Sequence, residues 1–454
     1  MVLESINPAT GERLAEYEEH SPSRVAEMAE AAHAAFLIWR ETTFVDRASR
    51  LLRAARVLRQ NRESFAELMA REMGKPFAQG SAEIEKCIIA CEYFADYGEG
   101  FLATEHIRTE AHRSYVVLQP LGVVLAVMPW NFPFWQVFRA AIPALMAGNA
   151  VILKHASIVS GCARACEEIF RNAGFPEGLF QSVLVGSRRV AELVGHARVK
   201  AVTLTGSTAA GESVAAQAGS LLKKTVLELG GSDPYLVLAD ADVAKAAEMC
   251  VASRLINSGQ SCIAAKRFIV VERVKREFED HVVHAMRKQK MGDPLAPDTT
   301  IGPVARFDLR DELVRQLQQS LAEGAHLLFW GELPSGPGAF FPPAVLTDVR
   351  KGMAAYDEET FGPLAAIIGV ADEAEAIRVA NDTSFGLGAA VFTRNLERGE
   401  HIAQQLEAGC VFVNDFVRSD SRLPFGGVKR SGYGRELASF GIREFVNVKT
   451  VWVK

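Results

Sequence analysis

A chain of 454 residues is too long for one ordinary hydrophobic core, so two or three domains are expected. Hydrophobic residues make up 49% and charged residues 23%, which excludes a disordered chain. Lys+Arg 50 against Asp+Glu 55 gives a net charge of -5, and without a long basic run a nucleic-acid partner is excluded as well. Residues 1–10 carry no basic-then-apolar signal pattern. Seven cysteines, an odd number, read as reduced thiols in a cytoplasmic protein rather than a disulfide framework.

The first clear element is a helix opened by Ser21-Pro22. Serine suits the N-cap, proline the first helical position, and Val25, Met28, Ala32, Phe36 and Trp39 repeat at helical spacing. Helical pattern continues to about Ala103. The most apolar stretch, 121–138, contains Pro129, Asn131, Pro133 and Gln136, poor material for a membrane span. It reads as a buried strand followed by a turn, and no membrane partner is expected.

From Leu121 short apolar runs (121–128, 150–153, 182–185, 201–204, 225–227) alternate with helical stretches, which predicts parallel pairing and a doubly wound α/β unit. Ligands of such sheets sit at the carboxyl ends of the strands, so the residues just after each run are candidates. A second alternating region, 233–414, offers strands near 267–271, 365–370, 389–393 and 411–413. The terminal apolar strand 445–453, with 114–118, suggests an arm whose open edge would pair with a second copy.

Four segments could carry chemistry. Cys262 follows Gly259-Gln260-Ser261, a turn that would present a thiol in a cleft where neighbouring donors lower its pKa; the alternative is a buried structural cysteine. Cys87/Cys91 and Cys162/Cys166 have helical spacing but no further ligands, so core packing is expected and no metal. Glu228 ends an apolar run, where burial would raise its pKa toward that of a general base; the alternative is an ion pair with Lys223 or Lys224. Asn131, braced by Pro129 and Pro133, could donate to an oxyanion or merely plug a strand end. Gly206 and Ser207, between a run and a helix, could hold a diphosphate, although no G-x-G-x-x-G fingerprint occurs.

Taken in order, PWNFPFW (129–135), ILKHAS (152–157), TGSTAAG (205–211), LELGGSDP (227–234), GQSCIAAKR (259–267), EETFGP (358–363) and PFGGVKRSGYGRE (424–436) resemble the aldehyde dehydrogenase superfamily. The resemblance implies a Rossmann-type cofactor domain (1–107 and 122–230), an α/β catalytic domain (231–436) and a small β oligomerisation arm (108–121 and 437–454). It implies Cys262 as nucleophile, Glu228 as general base, and Asn131 with the Cys262 backbone N–H as oxyanion hole. Lys154 would bind the adenosine ribose, Ser207 and Trp130 the diphosphate, and Glu359 the nicotinamide ribose, with Phe361 beside that ring and Gly206 and Leu229 on the same cofactor side. Because acylating relatives that use coenzyme A lack the carboxylate, Glu228 favours hydrolysis to a free acid.

Within the superfamily, NFPFWQVFR and GQSCIAAKRF are most similar to succinate-semialdehyde dehydrogenases of the short bacterial form. Arg139 falls where that group binds the substrate carboxylate, Ser419 where a serine touches it, and Trp135 in the apolar lining. An Arg fork suits a carboxylate; the alternative is a pair with a surface acid on its own helix. Ile256 stands where many members have a second arginine, Ala140 where many have lysine, and Ile263 and Ala264 leave no cysteine beside the nucleophile. Another semialdehyde or an aliphatic aldehyde is the alternative substrate, and a catalytically silent scaffold the alternative from another class. Ser157 occupies a position that is often Glu in NAD-preferring relatives, so NADP is expected to be favoured, with NAD accepted. A homodimer or homotetramer is expected.

Overall fold

In the computed structural model, which describes residues 2–454, the apolar runs after residue 120 form two separate mainly parallel sheets. The first has the spatial order Gly432–Tyr433, Lys224–Glu228, Val199–Thr205, Val123–Met128, Ala150–His155, Phe180–Ser182. All of its pairings are parallel except that of Gly432–Tyr433. Ala150–His155 is buried at every residue, as a parallel strand covered on both faces must be. From Val123–Met128 the chain first builds outward to Phe180–Ser182, then returns to lay Val199–Thr205 on the other flank. The loops after Val123–Met128 and Val199–Thr205 therefore diverge and open a crevice.

The second sheet runs His326–Trp330, Ala344–Thr347, Leu364–Val370, Ala265–Val271, Asp233–Val237, Gly388–Phe392, Cys410–Val413, with only the first pairing antiparallel. Strand alternation splits its apolar residues between two cores. Phe268 and Val270 enter one, Ile269 and Val271 the other.

Before the sheets come a hairpin (Val2–Ile6, Arg13–Glu18) and four helices, Pro22–Trp39, Phe44–Gln60, Arg62–Met73 and Phe77–Phe101. Ser21 caps the first of these by accepting from the Arg24 N–H at 3.1 Å, and Val25, Met28, Ala32, Phe36 and Trp39 are all buried. The stretch 121–138 divides into Val123–Met128, a turn and the buried helix Trp135–Met146. Among the described residues no helix is long and apolar enough to cross a membrane. Strands Val446–Val453, Arg113–Pro120 and Glu105–His106 form a separate antiparallel arm, on which Val448 and Trp452 are exposed.

The structure departs from the sequence expectation at two places. The run 182–185 contributes a strand only at Phe180–Ser182, because Leu184 turns away to accept from the His20 N–H at 2.8 Å. Residues 432–433 lie inside the range expected for the catalytic domain, yet they pair with Glu228 and Leu227 at the edge of the first sheet. Gly432 sits there with φ 113°, and a Cβ would lie 2.0 Å from the Leu227 carbonyl oxygen. That return of the chain decides the surroundings of Glu228.

Candidate active site

Cys262 is presented by a turn in which Asn257, Ser258 and Gly259 have φ of 54°, 55° and 82°, three successive left-handed residues. The two non-glycine residues each cost about 1–2 kcal/mol of local strain, so the turn persists only where its surroundings hold it. Asn257 Nδ2 donates to the Asn131 carbonyl at 2.7 Å, Ser258 Oγ accepts from Gly302 N–H at 3.0 Å, and Gln260 Oε1 accepts from Ala305 N–H at 2.8 Å. A Cβ on Gly259 would meet the Gly362 carbonyl carbon at 2.2 Å, so only glycine lets the turn pack against the loop that carries Glu359 and Phe361. Buried cations hold the same segment. Arg254 donates to the Gly259 carbonyl at 2.6 Å, and Lys266 donates to the Ser261 and Cys262 carbonyls at 2.9 and 2.7 Å.

Asn131 is buried and gives one side-chain N–H to the Gln260 carbonyl at 3.0 Å. Its other N–H is left to act as a donor beside Cys262, and both residues line one cleft. The expected lowering of the Cys262 thiol is not found. Burial pushes it up to about 12, and the cations Arg139 and Lys266 offset this only in part. Lys266 is already engaged with carbonyls and lies 3.5 Å from Glu359, so little of its charge is left for the thiol. A base must therefore remove the thiol proton before the sulfur can attack.

Glu228 closes strand Lys224–Glu228 and is buried. Burial and the neighbouring Glu436 carboxyl hold it well above the usual carboxylate range, against the pull of Arg139 and Arg435. Neither ion pair considered from sequence forms. Lys223 donates to the Val194 and His196 carbonyls, and Lys224 pairs with Glu444 at 2.9 Å. The Glu228 side chain faces Gly426 and Glu436 and does not line the Cys262 cleft, so working on a water there requires it to swing inward. Asn131, Cys262 and Glu359 are thus brought together, and Glu228 lies outside that group.

The cleft, about 360 Å³, is also lined by Trp130, Gly206, Ser207, Leu229 and Phe361. Trp130 and Phe361 meet edge to face at 5.7 Å. Glu359 is fixed by Gly231 N–H, which donates to its Oε1 at 3.0 Å. Ser207 caps helix Thr208–Ser220, whose N-terminal N–H groups suit a diphosphate. Lys154, at the end of Ala150–His155, is buried and has no ion-pair partner among the described residues, and burial lowers its ammonium pKa. A buried cation left without a carboxylate is an anion site in waiting. Ser157 opens the short turn Ser157–Val159 that follows. These groups fit a dinucleotide.

Arg139 is not a free cation. Its guanidinium is buried in an ion pair with Glu436, lies over the Phe425 ring at 4.8 Å and donates to Thr205 Oγ1 at 3.3 Å. Its partner is therefore a buried acid far along the chain, neither a surface acid on its own helix nor an open position. Trp135 and Ser419 lie on the far side of the turn from the cleft, where Trp135 Nε1 donates to Ser419 Oγ at 3.2 Å beside a second cavity of about 770 Å³. Sequence reasoning assigned no role to Lys266, Glu436 or Arg254. Lys266 and Glu436 stand inside the segments 259–267 and 424–436, but nothing local marks them as buried partners. Cys87, Cys91, Cys162 and Cys166 are fully buried in the core beneath the first sheet, and all seven thiols are free.

A family model described as aldehyde dehydrogenase family matches residues 1–451. A Synechocystis protein named "Probable succinate-semialdehyde dehydrogenase", of the NADP(+) type, is 49% identical over 453 residues, covering 100% of both chains. An Escherichia coli succinate semialdehyde dehydrogenase of the NAD(P)+ type is 45% identical over 99% of this chain and 97% of its own. The crystal structure of succinic semialdehyde dehydrogenase from Streptococcus pyogenes, in complex with NADP+, superimposes with a TM-score of 0.97 at 36% identity and 99% coverage of each chain. With the turn-borne Cys262 and the Asn131 donor in one cleft, and the family match along residues 1–451, the chain belongs to the aldehyde dehydrogenase family.

Proposed function

We propose that this chain oxidises succinic semialdehyde to succinate, with NADP as the favoured hydride acceptor and NAD accepted. What carries the substrate is identity of 45–49% along the whole chain to relatives bearing that name. The chemistry follows from the residues. Cys262, once deprotonated, adds to the aldehyde carbon. The oxygen of the resulting thiohemiacetal is held by the remaining Asn131 side-chain N–H and the Cys262 backbone N–H, each donor contributing about 3–4 kcal/mol. A nicotinamide cofactor in the cleft supplies the acceptor for the hydride whose loss leaves a thioester. Glu228 swings in, takes a proton from water, and the hydroxide releases the acid and restores the thiol. Arg139 and Glu436 hold Glu228 in waiting, their shared charge setting when it ionises.

The unpaired Lys154 ammonium, and a serine at 157 in place of a carboxylate, support acceptance of a 2′-phosphate. Glu359 and Phe361 would position the nicotinamide end, with Trp130, Gly206, Ser207 and Leu229 along the diphosphate path. The exposed arm strand Val446–Val453 supports a homodimer or homotetramer, and seven free thiols support a cytoplasmic setting. Two observations favour a second reading, a broader aliphatic aldehyde dehydrogenase. Arg139 is tied to Glu436, and Ile256 stands where many relatives have arginine.

Comparing kcat/KM for succinic semialdehyde and for butanal, each with NADP and NAD, decides between them. The acid semialdehyde with NADP is expected to lead by at least about tenfold, equivalent to about 1.4 kcal/mol. Equal values for the two aldehydes would overturn the substrate, and an NAD lead would overturn the cofactor.

A further inference from the structure

We propose that Lys86, on helix Phe77–Phe101, is the cation that receives the carboxylate tail of the aldehyde, acting with the Ser419 hydroxyl and the edge of Trp135. This rests on the reading of succinic semialdehyde as substrate and names the group that selects it.

Lys86 lines the 770 Å³ cavity together with Phe132 and Trp135, which follow Asn131 in the chain. In this assignment the carbonyl lies at Cys262 and Asn131 and the tail past this segment, in that space. Much of the lining is apolar, with Ala82, Phe132, Val251 and Leu255, so a carboxylate entering it requires a dedicated partner. Lys86 has one to offer. Its ammonium lies over the Trp135 ring at 4.4 Å and donates one hydrogen to Ser419 Oγ at 2.7 Å. It has no ion-pair partner among the described residues, so two of its three donors stay uncommitted.

Ser419 completes the subsite. Its oxygen accepts from Lys86 Nζ at 2.7 Å and from Trp135 Nε1 at 3.2 Å. With both lone pairs used as acceptors, its own hydrogen is left to donate, and two kinds of donor converge on one place. That is the pattern of an anion site.

Three of the charged groups around Lys86, namely Glu83, Asp420 and Arg139, are already committed elsewhere. Glu83, one turn earlier on the same helix, is paired with Lys75 and accepts from the Phe134 and Trp135 N–H groups at 2.8 and 2.9 Å. Asp420, on the loop beyond Ser419, is held by Arg422 at 2.6 Å. Arg139, on helix Trp135–Met146, is paired with Glu436. Cys87, beside Lys86, is buried and its thiol is raised by burial. The cavity also carries Glu248, His281, His284 and Lys288, none of which has an ion-pair partner among the described residues. Burial lowers the Lys86 ammonium to about 8, so its charge is present at neutral pH and lost above that value.

The test uses Lys86→Met, Lys86→Arg and the unmodified enzyme, with succinic semialdehyde and butanal as paired substrates and thermal melting as a check on folding. Lys86→Met is expected to raise KM for the semialdehyde by at least tenfold more than KM for butanal, and Lys86→Arg to recover part of that difference. In the unmodified enzyme the ratio of kcat/KM values, semialdehyde over butanal, should fall as pH rises through about 8, and Lys86→Met should flatten that profile. The ratio cancels titration of groups that serve both aldehydes. Equal losses on both substrates, or a pH-independent ratio in the unmodified enzyme, would overturn the assignment. An unmodified enzyme that prefers the semialdehyde, with a Lys86→Met variant that keeps the preference, would overturn Lys86 alone and return the tail to Arg139. An unmodified enzyme with no preference would overturn the substrate reading itself.

Discussion

Asn131 and Phe132 are consecutive, yet Asn131 lines the cleft with Cys262 while Phe132 lines the larger cavity with Lys86. The two spaces are built differently. The cleft is walled largely by loops at strand ends, where buried hydrogen bonds hold the Asn131 amide and the backbone that carries the Cys262 thiol. The cavity is walled by helix faces, Phe77–Phe101 and Val243–Leu255 among them, whose side chains come from distant parts of the chain. Bond making therefore depends on rigid backbone, and aldehyde choice on replaceable side chains. A change on the cleft side should lower turnover of every aldehyde alike, whereas one on the cavity side should separate one aldehyde from another.

The largest effect belongs to Cys262. Replacing it with alanine removes the covalent route, and kcat should drop by about 10⁴-fold or more for semialdehyde and butanal together. Steady NADPH formation by that variant would remove the nucleophile from the cleft. Glu228→Gln should lower steady turnover by about 10²–10³-fold, the range for a lost general base. The first turnover should survive as a burst of one reduced cofactor per site, because hydride loss precedes hydrolysis. A burst that vanished with turnover would place Glu228 at thiol deprotonation instead.

Next in size is the pH response of the free thiol. With Cys262 pushed up to about 12, its thiolate fraction should grow tenfold per pH unit across the neutral range. Alkylation by iodoacetamide, followed at Cys262 by peptide mass spectrometry, should accelerate about 100-fold between about pH 7 and 9. A plateau below pH 8 would mean a thiolate already formed in the unliganded cleft, as the turn alone had suggested.

Those three experiments also mark what could be read from residues in order. In the first sheet Asn131, Ser207 and Glu228 come at or after the end of an apolar run, where a doubly wound sheet gathers its ligands. In the second sheet the relation is reversed. Cys262 and Glu359 precede their strands, Ala265–Val271 and Leu364–Val370, so the same rule points away from them; the turn before Cys262 marked it as a candidate, and the motif resemblance alone supplied Glu359. For Arg139 the spacing offered a surface acid on its own helix as the alternative to a substrate carboxylate, and the acid found is Glu436. Glu436 reaches it only because Gly432–Tyr433 pairs back onto the first sheet, and no local pattern announces that. Lys86 lies on a helix with no motif, and its meaning comes from Ser419, 333 residues away. Elements follow from local spacing; partners across the chain do not.

The smallest expected effect tests the cofactor end of the cleft side. Lys154 is a buried ammonium without a carboxylate partner, on the strand that leads into Ser157. A 2′-phosphate would supply the missing charge, whereas a ribose hydroxyl would leave the ammonium uncompensated. Ser157→Glu introduces a carboxylate near that end. It should repel the phosphate, accept a hydrogen bond from a free 2′-hydroxyl, and offer Lys154 a permanent partner, so all three changes act in the same direction. Their sum, in a partly solvated position, is on the order of 1.4 kcal/mol, a tenfold change in the NADP-to-NAD ratio of kcat/KM. Because the substitution lies on the cleft side, that ratio should shift equally with semialdehyde and butanal. A shift seen with only one aldehyde would mean that the two spaces are coupled through the Asn131–Phe132 ridge rather than separated by it.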